Sequence, residues 1–202
     1  MGRRRQDKLS RRAKAEGYAA RSVYKLEELD RRFRLLTRGA RVLDLGCHPG
    51  SWLRYAATRV GPGGIVIGID RVETEPPAPN VSTMVGDVLS IEPNAVDAEG
   101  TGFDVVLSDM APDTTGIRMT DQARSAELTA RALDLALALL RPGGHLVAKV
   151  FQGPDVQDLV RAARAGFADA RTARASATRK ESSEVYLVAR SRSGSRPPTE
   201  SP

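Results

Sequence analysis

Short apolar runs alternate with helical stretches along almost the whole chain, and that alternation limits the folds open to it. Residues 41–45, 64–70, 81–85, 103–109, 145–151, 168–175 and 184–190 read as strands. Residues 22–36, 51–60, 120–140 and 154–165 carry the apolar spacing of helices, and Arg141-Pro-Gly-Gly stops the longest of them. Strands joined in sequence by helices imply an α/β fold with a mainly parallel sheet covered on both faces. In such sheets ligands bind beyond the carboxyl ends of the strands. Here Asp70, Asp87, Asp109 and Lys149 all fall at or just past those ends. One such residue is ordinary loop polarity; four along one rim point to a site.

The first strand runs into Asp44-Leu45-Gly46-Cys47-His48-Pro49-Gly50-Ser51-Trp52. Glycines at a strand-to-helix turn allow a ligand close to the backbone. The spacing is G-x-x-x-G with Pro49 inside, not the G-x-G-x-x-G of a dinucleotide site. Pro49 has no N–H to offer a phosphate. The loop therefore suits a nucleoside cofactor without phosphates, such as S-adenosylmethionine. Asp70 would take the ribose hydroxyls and Asp87 the adenine amino group. Cys47 and His48 are adjacent in sequence, which does not make them face one another, and both read as loop packing residues.

The chain has five lysines among its 31 basic residues, so a lysine in an apolar setting stands out. Lys149 lies in His145-Leu146-Val147-Ala148-Lys149-Val150-Phe151, a run typical of an interior parallel strand. A buried ammonium is costly unless paired or neutralised. Lys149 is thus a candidate general base at the ligand rim, with Asp109 on the neighbouring strand. Lys25 borders the apolar stripe of the first helix, and its setting alone suggests only a solvated surface lysine.

The net charge of +6 lies entirely in residues 1–21, where eight basic side chains meet two acidic ones. This segment reads as a mobile basic arm, either a solvated tail or a grip on nucleic-acid phosphates. Residues 22–190 read as one domain and 191–202 as a disordered, Ser/Pro-rich tail. A single cysteine excludes an internal disulfide and a multi-cysteine metal site. No apolar run has the length of a membrane span, and no signal-like apolar segment follows the basic start; the expected location is the cytoplasm.

Five stretches occur in a telling order: Arg21-Ser-Val-Tyr-Lys25-Leu, DLGCHPGSW (44–52), SDMAPDTTG (108–116), VAKVFQG (147–153) and SSEVYLVA (182–189). Over residues 17–190 the chain resembles the FtsJ/RrmJ (RlmE) family of S-adenosylmethionine-dependent ribosomal RNA 2′-O-ribose methyltransferases. The resemblance implies a Rossmann-like, seven-stranded, mostly parallel sheet whose last strand is antiparallel and lies beside the fifth. It implies a catalytic tetrad of Lys25, Asp109, Lys149 and Glu184, with Glu184 beside Lys149, which changes the reading of Lys25. It assigns Gly46, Pro49, Gly50, Trp52, Asp70, Asp87 and Asp109 to the cofactor, and it calls for no metal. Its implied substrate is a uridine of 23S rRNA in the large ribosomal subunit, met by a monomer.

Two departures stand out. The family loop usually reads DLGAAPGGW, and here Cys47-His48 and Ser51 replace smaller residues, with His48 expected to crowd the methionine end of the cofactor. Asp113-Thr114-Thr115 replaces the usual Asn-Met-Ser. Three other functions remain open: methylation of a tRNA or another RNA, a cofactor-binding ribosome assembly factor with little activity, and a small-molecule or protein methyltransferase. The last leaves the arm and the tetrad unexplained.

Overall fold

A computed structural model describes residues 2–178 and 182–194, with side chains from residue 8 onward. In chain order the elements are α1 (Gly2–Ala15), α2 (Val23–Phe33), β1 (Arg41–Leu45), α3 (Ser51–Val60), β2 (Ile65–Asp70), β3 (Val81–Val85) and α4 (Pro93–Val96). They continue with β4 (Phe103–Ser108), α5 (Arg118–Leu139), β5 (Leu140–Phe151), α6 (Val156–Gly166), β6 (Phe167–Ala173) and β7 (Glu184–Arg192). The seven strands form one sheet in the order β3-β2-β1-β4-β5-β7-β6. β1 to β5 are parallel, whereas β7 pairs antiparallel with both β5 and β6. The mostly parallel sheet with a reversed last strand beside the fifth is as expected.

Strand alternation divides the core into two layers. Val42, Val105, Leu107, Val147, Tyr186 and Val188 pack with α2 and α3 on one face. Leu43, Leu45, Val106, Leu146, Leu187 and Ala189 pack with α5 and α6 on the other. β1 lies inside the sheet and is buried from Val42 to Leu45, which explains why its sequence shows no solvent-facing alternation.

Several boundaries differ from the sequence reading for visible reasons. α2 stops at Phe33 rather than residue 36, because Arg34 turns left-handed (φ 53°) and the buried Asp30 carboxylate captures the N–H groups of Leu35 and Leu36 at 3.1 and 2.9 Å. Asp30 also accepts from Tyr55 Oη (2.9 Å) and Arg59 Nε (2.8 Å), which ties α2 to α3. α4 is one short turn, with too few residues to show a period.

The segment read as a mobile arm forms α1 over most of its length. Leu9 and Ala13 lie one helical turn apart and pack with Val23, Tyr24 and Tyr18. Arg12 pairs with Glu16 at 2.7 Å and lies 4.6 Å from the centre of the Tyr24 ring. The expected tail begins within β7, which continues to Arg192; residues 195–202 lie outside the described residues.

Candidate active site

The parallel strands deliver their carboxyl ends to one rim. Gly46 follows β1, Asp70 ends β2, Asp87 follows β3, Asp109 follows β4, and Lys149 is near the end of β5. β7 arrives reversed, so its first residues reach the same rim. Register sets Tyr186 opposite Lys149 and Glu184 opposite Phe151. Lys25 comes from the first turn of α2, packed across that end of the sheet.

The four tetrad residues form two ion pairs. Lys149 Nζ lies 3.1 Å from Asp109 Oδ1 and also donates to the Asp109 carbonyl. Lys25 Nζ lies 2.7 Å from Glu184 Oε1 and donates to Oε2 at 2.9 Å. Lys149 is only 9% exposed, and Glu184 is buried too. Burial pushes the Glu184 carboxyl up, but the charge and hydrogen bond of Lys25, aided by Lys149 and Tyr186, leave it below the usual value. Glu184 was expected beside Lys149; its direct partner is Lys25, and Asp109 is the carboxylate on Lys149. The register sets Glu184 two positions along from Tyr186, the residue opposite Lys149, so Glu184 is a diagonal neighbour of Lys149.

Tyr186 joins the pairs, and the residue-by-residue reading missed it. Its hydroxyl is 3.1 Å from Asp109 Oδ1 and 2.9 Å from Glu184 Oε1, and its single proton serves one carboxylate at a time. Burial and the two carboxylates push its ionisation well up. It lies two residues after Glu184, so strand period alone puts both on one face, and that signal could have found it.

A cavity of about 530 Å³ adjoins the cluster, lined by the Gly46 turn, Asp70, Asp87 and Asp109 and by apolar groups including Val72 and Leu89. Asp70 accepts the N–H of His48 (3.0 Å) and of Val72 (2.9 Å), and Asp87 accepts that of Leu89 (3.0 Å), so both carboxylates are held at the wall. Gly46 has φ +73°, and a Cβ there would run into Met110. Pro49, Gly50 and Trp52, which were assigned to the cofactor, do not line this cavity. Gly50 opens α3 with φ 93°, while Trp52 is buried, donates to the Ser22 carbonyl at 3.1 Å and packs 6.0 Å from the Tyr186 ring. Trp52 thus packs under the catalytic cluster through Tyr186, and a Cβ on Gly50 would meet Thr74. His48 does line the cavity, with Nδ1 3.2 Å from Thr74 Oγ1. Cys47 is buried, with its thiol pushed up to about 12 chiefly by burial, in keeping with a packing role.

The donor set fits S-adenosylmethionine. Five carboxylates, those of Asp70, Asp87, Asp109, Asp113 and Glu127, and apolar walls match an adenosine joined to a cationic sulfonium, and the N–H groups of Gly46, Cys47, His48 and Gly50 are already engaged within the protein. Beneath it lies Asp44, fully buried, with neither carboxylate oxygen hydrogen-bonded. Among the described residues no group of acidic, histidine or cysteine side chains has the makings of a metal site. No helix there is long and apolar enough to cross a membrane.

Fold and site together fall in the class of Rossmann-like methyltransferases. Residues 18–192 match the model of the FtsJ-like methyltransferases, and the chain belongs to that family. It is 49% identical over 189 residues to the ribosomal RNA large subunit methyltransferase E of Desulfosudis oleivorans, covering 93% of this chain and 91% of the relative. The enzyme of the same name from Sorangium cellulosum is 48% identical, with 92% and 87% covered. A solved Plasmodium falciparum structure assigned as a ribosomal RNA methyltransferase superposes with a TM-score of 0.76 at 28% identity, over 88% of this chain and all of that one.

Proposed function

We propose that the chain uses S-adenosylmethionine to methylate the ribose 2′-hydroxyl of a uridine in 23S rRNA of the large ribosomal subunit, acting as a cytoplasmic monomer without a metal. The observation that carries this reading is the double role of Asp109: it lines the cofactor cavity and also holds the buried Lys149. The named relatives support the choice of ribosomal RNA.

S-adenosylmethionine, when bound, supplies an activated methyl group. Gly46, Asp70, Asp87 and Asp109 would hold it. The chain must then align and deprotonate a poor nucleophile. Lys149, entering as the free amine, takes the proton of the 2′-hydroxyl. The Asp109 carboxylate and carbonyl fix its Nζ and stabilise the ammonium that forms. Lys25, held by Glu184, faces the developing alkoxide or the adjoining phosphate. Tyr186 keeps the two carboxylates at a fixed spacing. The basic side chains of the first 21 residues, Arg12 among them, grip RNA phosphates and make the affinity salt-sensitive.

The test is methyl transfer from labelled S-adenosylmethionine to undermethylated large subunits, naked 23S rRNA and bulk tRNA, with nucleoside analysis. We expect 2′-O-methyluridine on subunits. Lys149→Ala should reduce kcat by about 100-fold or more while retaining cofactor binding. Label in tRNA alone would move the substrate; no label in any RNA would overturn the reading.

A further inference from the structure

The apolar surface that folding leaves exposed gathers at the catalytic rim. Of six exposed large apolar side chains among the described residues, Val72, Val85, Leu89, Ile117 and Met119 lie at the carboxyl ends of the strands, and only Ile65 lies elsewhere. Val72 and Leu89 line the cofactor cavity. Ile117 and Met119 do not, yet they are 63% and 80% exposed, on either side of Arg118 where α5 begins.

Hydrogen bonds fix the backbone of the loop that leads into this pair. The Asp121 carboxylate accepts the Thr115 N–H (2.7 Å), the Thr115 hydroxyl (2.8 Å) and the Gly116 N–H (3.2 Å). The Thr115 hydroxyl oxygen in turn accepts the Ile117 N–H at 3.2 Å. The first turns of α5 are tied to the end of the catalytic strand: Gln122 donates to the Gln152 carbonyl, and Ser125 accepts the Phe151 N–H at 2.9 Å. The pair is thus anchored next to the strand end that carries Lys149.

Proteins that read unpaired RNA ordinarily stack its bases on aromatic rings. This chain has four phenylalanines, four tyrosines and one tryptophan, and none of them is exposed. Among the described residues the exposed large apolar side chains on this rim are aliphatic, while Phe151 at the end of β5 is half-buried. Aliphatic side chains serve as wedges between bases in other nucleic-acid complexes, and Arg118 between them matches a phosphate-bearing partner.

We propose that Ile117 and Met119 form an aliphatic wedge that seats against the nucleobase next to the target ribose and so determines which nucleotide reaches Lys149. This rests on the RNA methyltransferase reading above. The test compares wild type with Ile117→Ser/Met119→Ser. Once the methylated nucleotide has been mapped on subunits, an RNA hairpin carrying 2-aminopurine beside it reports unstacking. We expect the KM for subunits to rise about tenfold, the scale of one lost base contact. Cofactor affinity and Tm should be unchanged, because both residues lie outside the cavity and the core. The 2-aminopurine signal should rise on binding wild type and stay low with the double variant, and Met119→Phe should retain the signal. A wild-type KM and fluorescence in the double variant would overturn the wedge alone. A raised KM with unchanged fluorescence would place a ribosomal protein against this pair and overturn it too. A wild-type enzyme that binds cofactor but methylates no RNA would remove the underlying reading, and the wedge with it.

Discussion

Asp44 is the residue whose chemistry departs furthest from its surroundings. It is buried with Val42, Leu43 and Leu45 on β1, an interior strand, and both its oxygens lack hydrogen-bond partners. Burial, and then the charges of Asp109 and Asp70, push its carboxyl well above the usual range. A carboxyl raised in this way is best accommodated when protonated. Its contribution to stability is complete below its ordinary value and is lost as pH rises towards the folded-state value. Asp44→Asn cannot ionise and so escapes that loss; it should raise stability at neutral pH by about 1.4 kcal/mol for each pH unit by which burial raises the carboxyl. The gain should shrink towards about pH 4, where the unfolded carboxyl also takes up its proton. Thermal unfolding across that range checks it; a variant no more stable than wild type at neutral pH would refute it. The sequence displayed Asp44 in the glycine-loop motif, but only the strand's enclosure on both faces gave it this character. Lys25 is the converse case: its helical setting alone looked like solvent, the family resemblance placed it in the tetrad, and the fold brings Glu184 to it from 159 positions away.

At the scale of elements, two turns and one reversal make the site. The turn after β1 depends on Gly46, whose φ of +73° strains any other residue and whose missing side chain leaves room for Met110. Gly46→Ala should cost about 1–3 kcal/mol and weaken cofactor binding by roughly tenfold or more, as 1.4 kcal/mol corresponds to a factor of ten. Urea unfolding and cofactor titration measure the two effects separately. Unchanged cofactor affinity would mean that the turn does not shape the cavity. The second turn, where Asp30 ends α2, was hidden from periodicity: Leu36 continues the helical spacing while the backbone has already left the helix. The reversal of β7 was expected from the family resemblance alone, because an isolated apolar run carries no direction.

Across the whole molecule, charge and shape divide the labour. The net +6 resides in the first 21 residues, while the remainder of the chain is neutral. α1 docks through Leu9 and Ala13 beside Tyr24, the neighbour of Lys25, so the basic segment is attached at the catalytic end. Removing residues 2–15 should raise the Kd for rRNA and flatten its salt dependence, with each lost phosphate contact lowering the log–log slope by about 0.7–0.9. The kcat at saturating RNA should change little. A salt dependence identical to that of the full chain would show that α1 does not engage phosphates. By itself the sequence determined the alternation of strands and helices, the rim of carboxylates and the isolation of Lys149, because these follow from local periodicity and composition. Tertiary structure alone decided which lysine meets which carboxylate, that Tyr186 spans them, that Trp52 packs against Tyr186, and that the basic segment is a docked helix. Those outcomes depend on strand register and on contacts between residues far apart in the chain, and no local pattern encodes the distance between them.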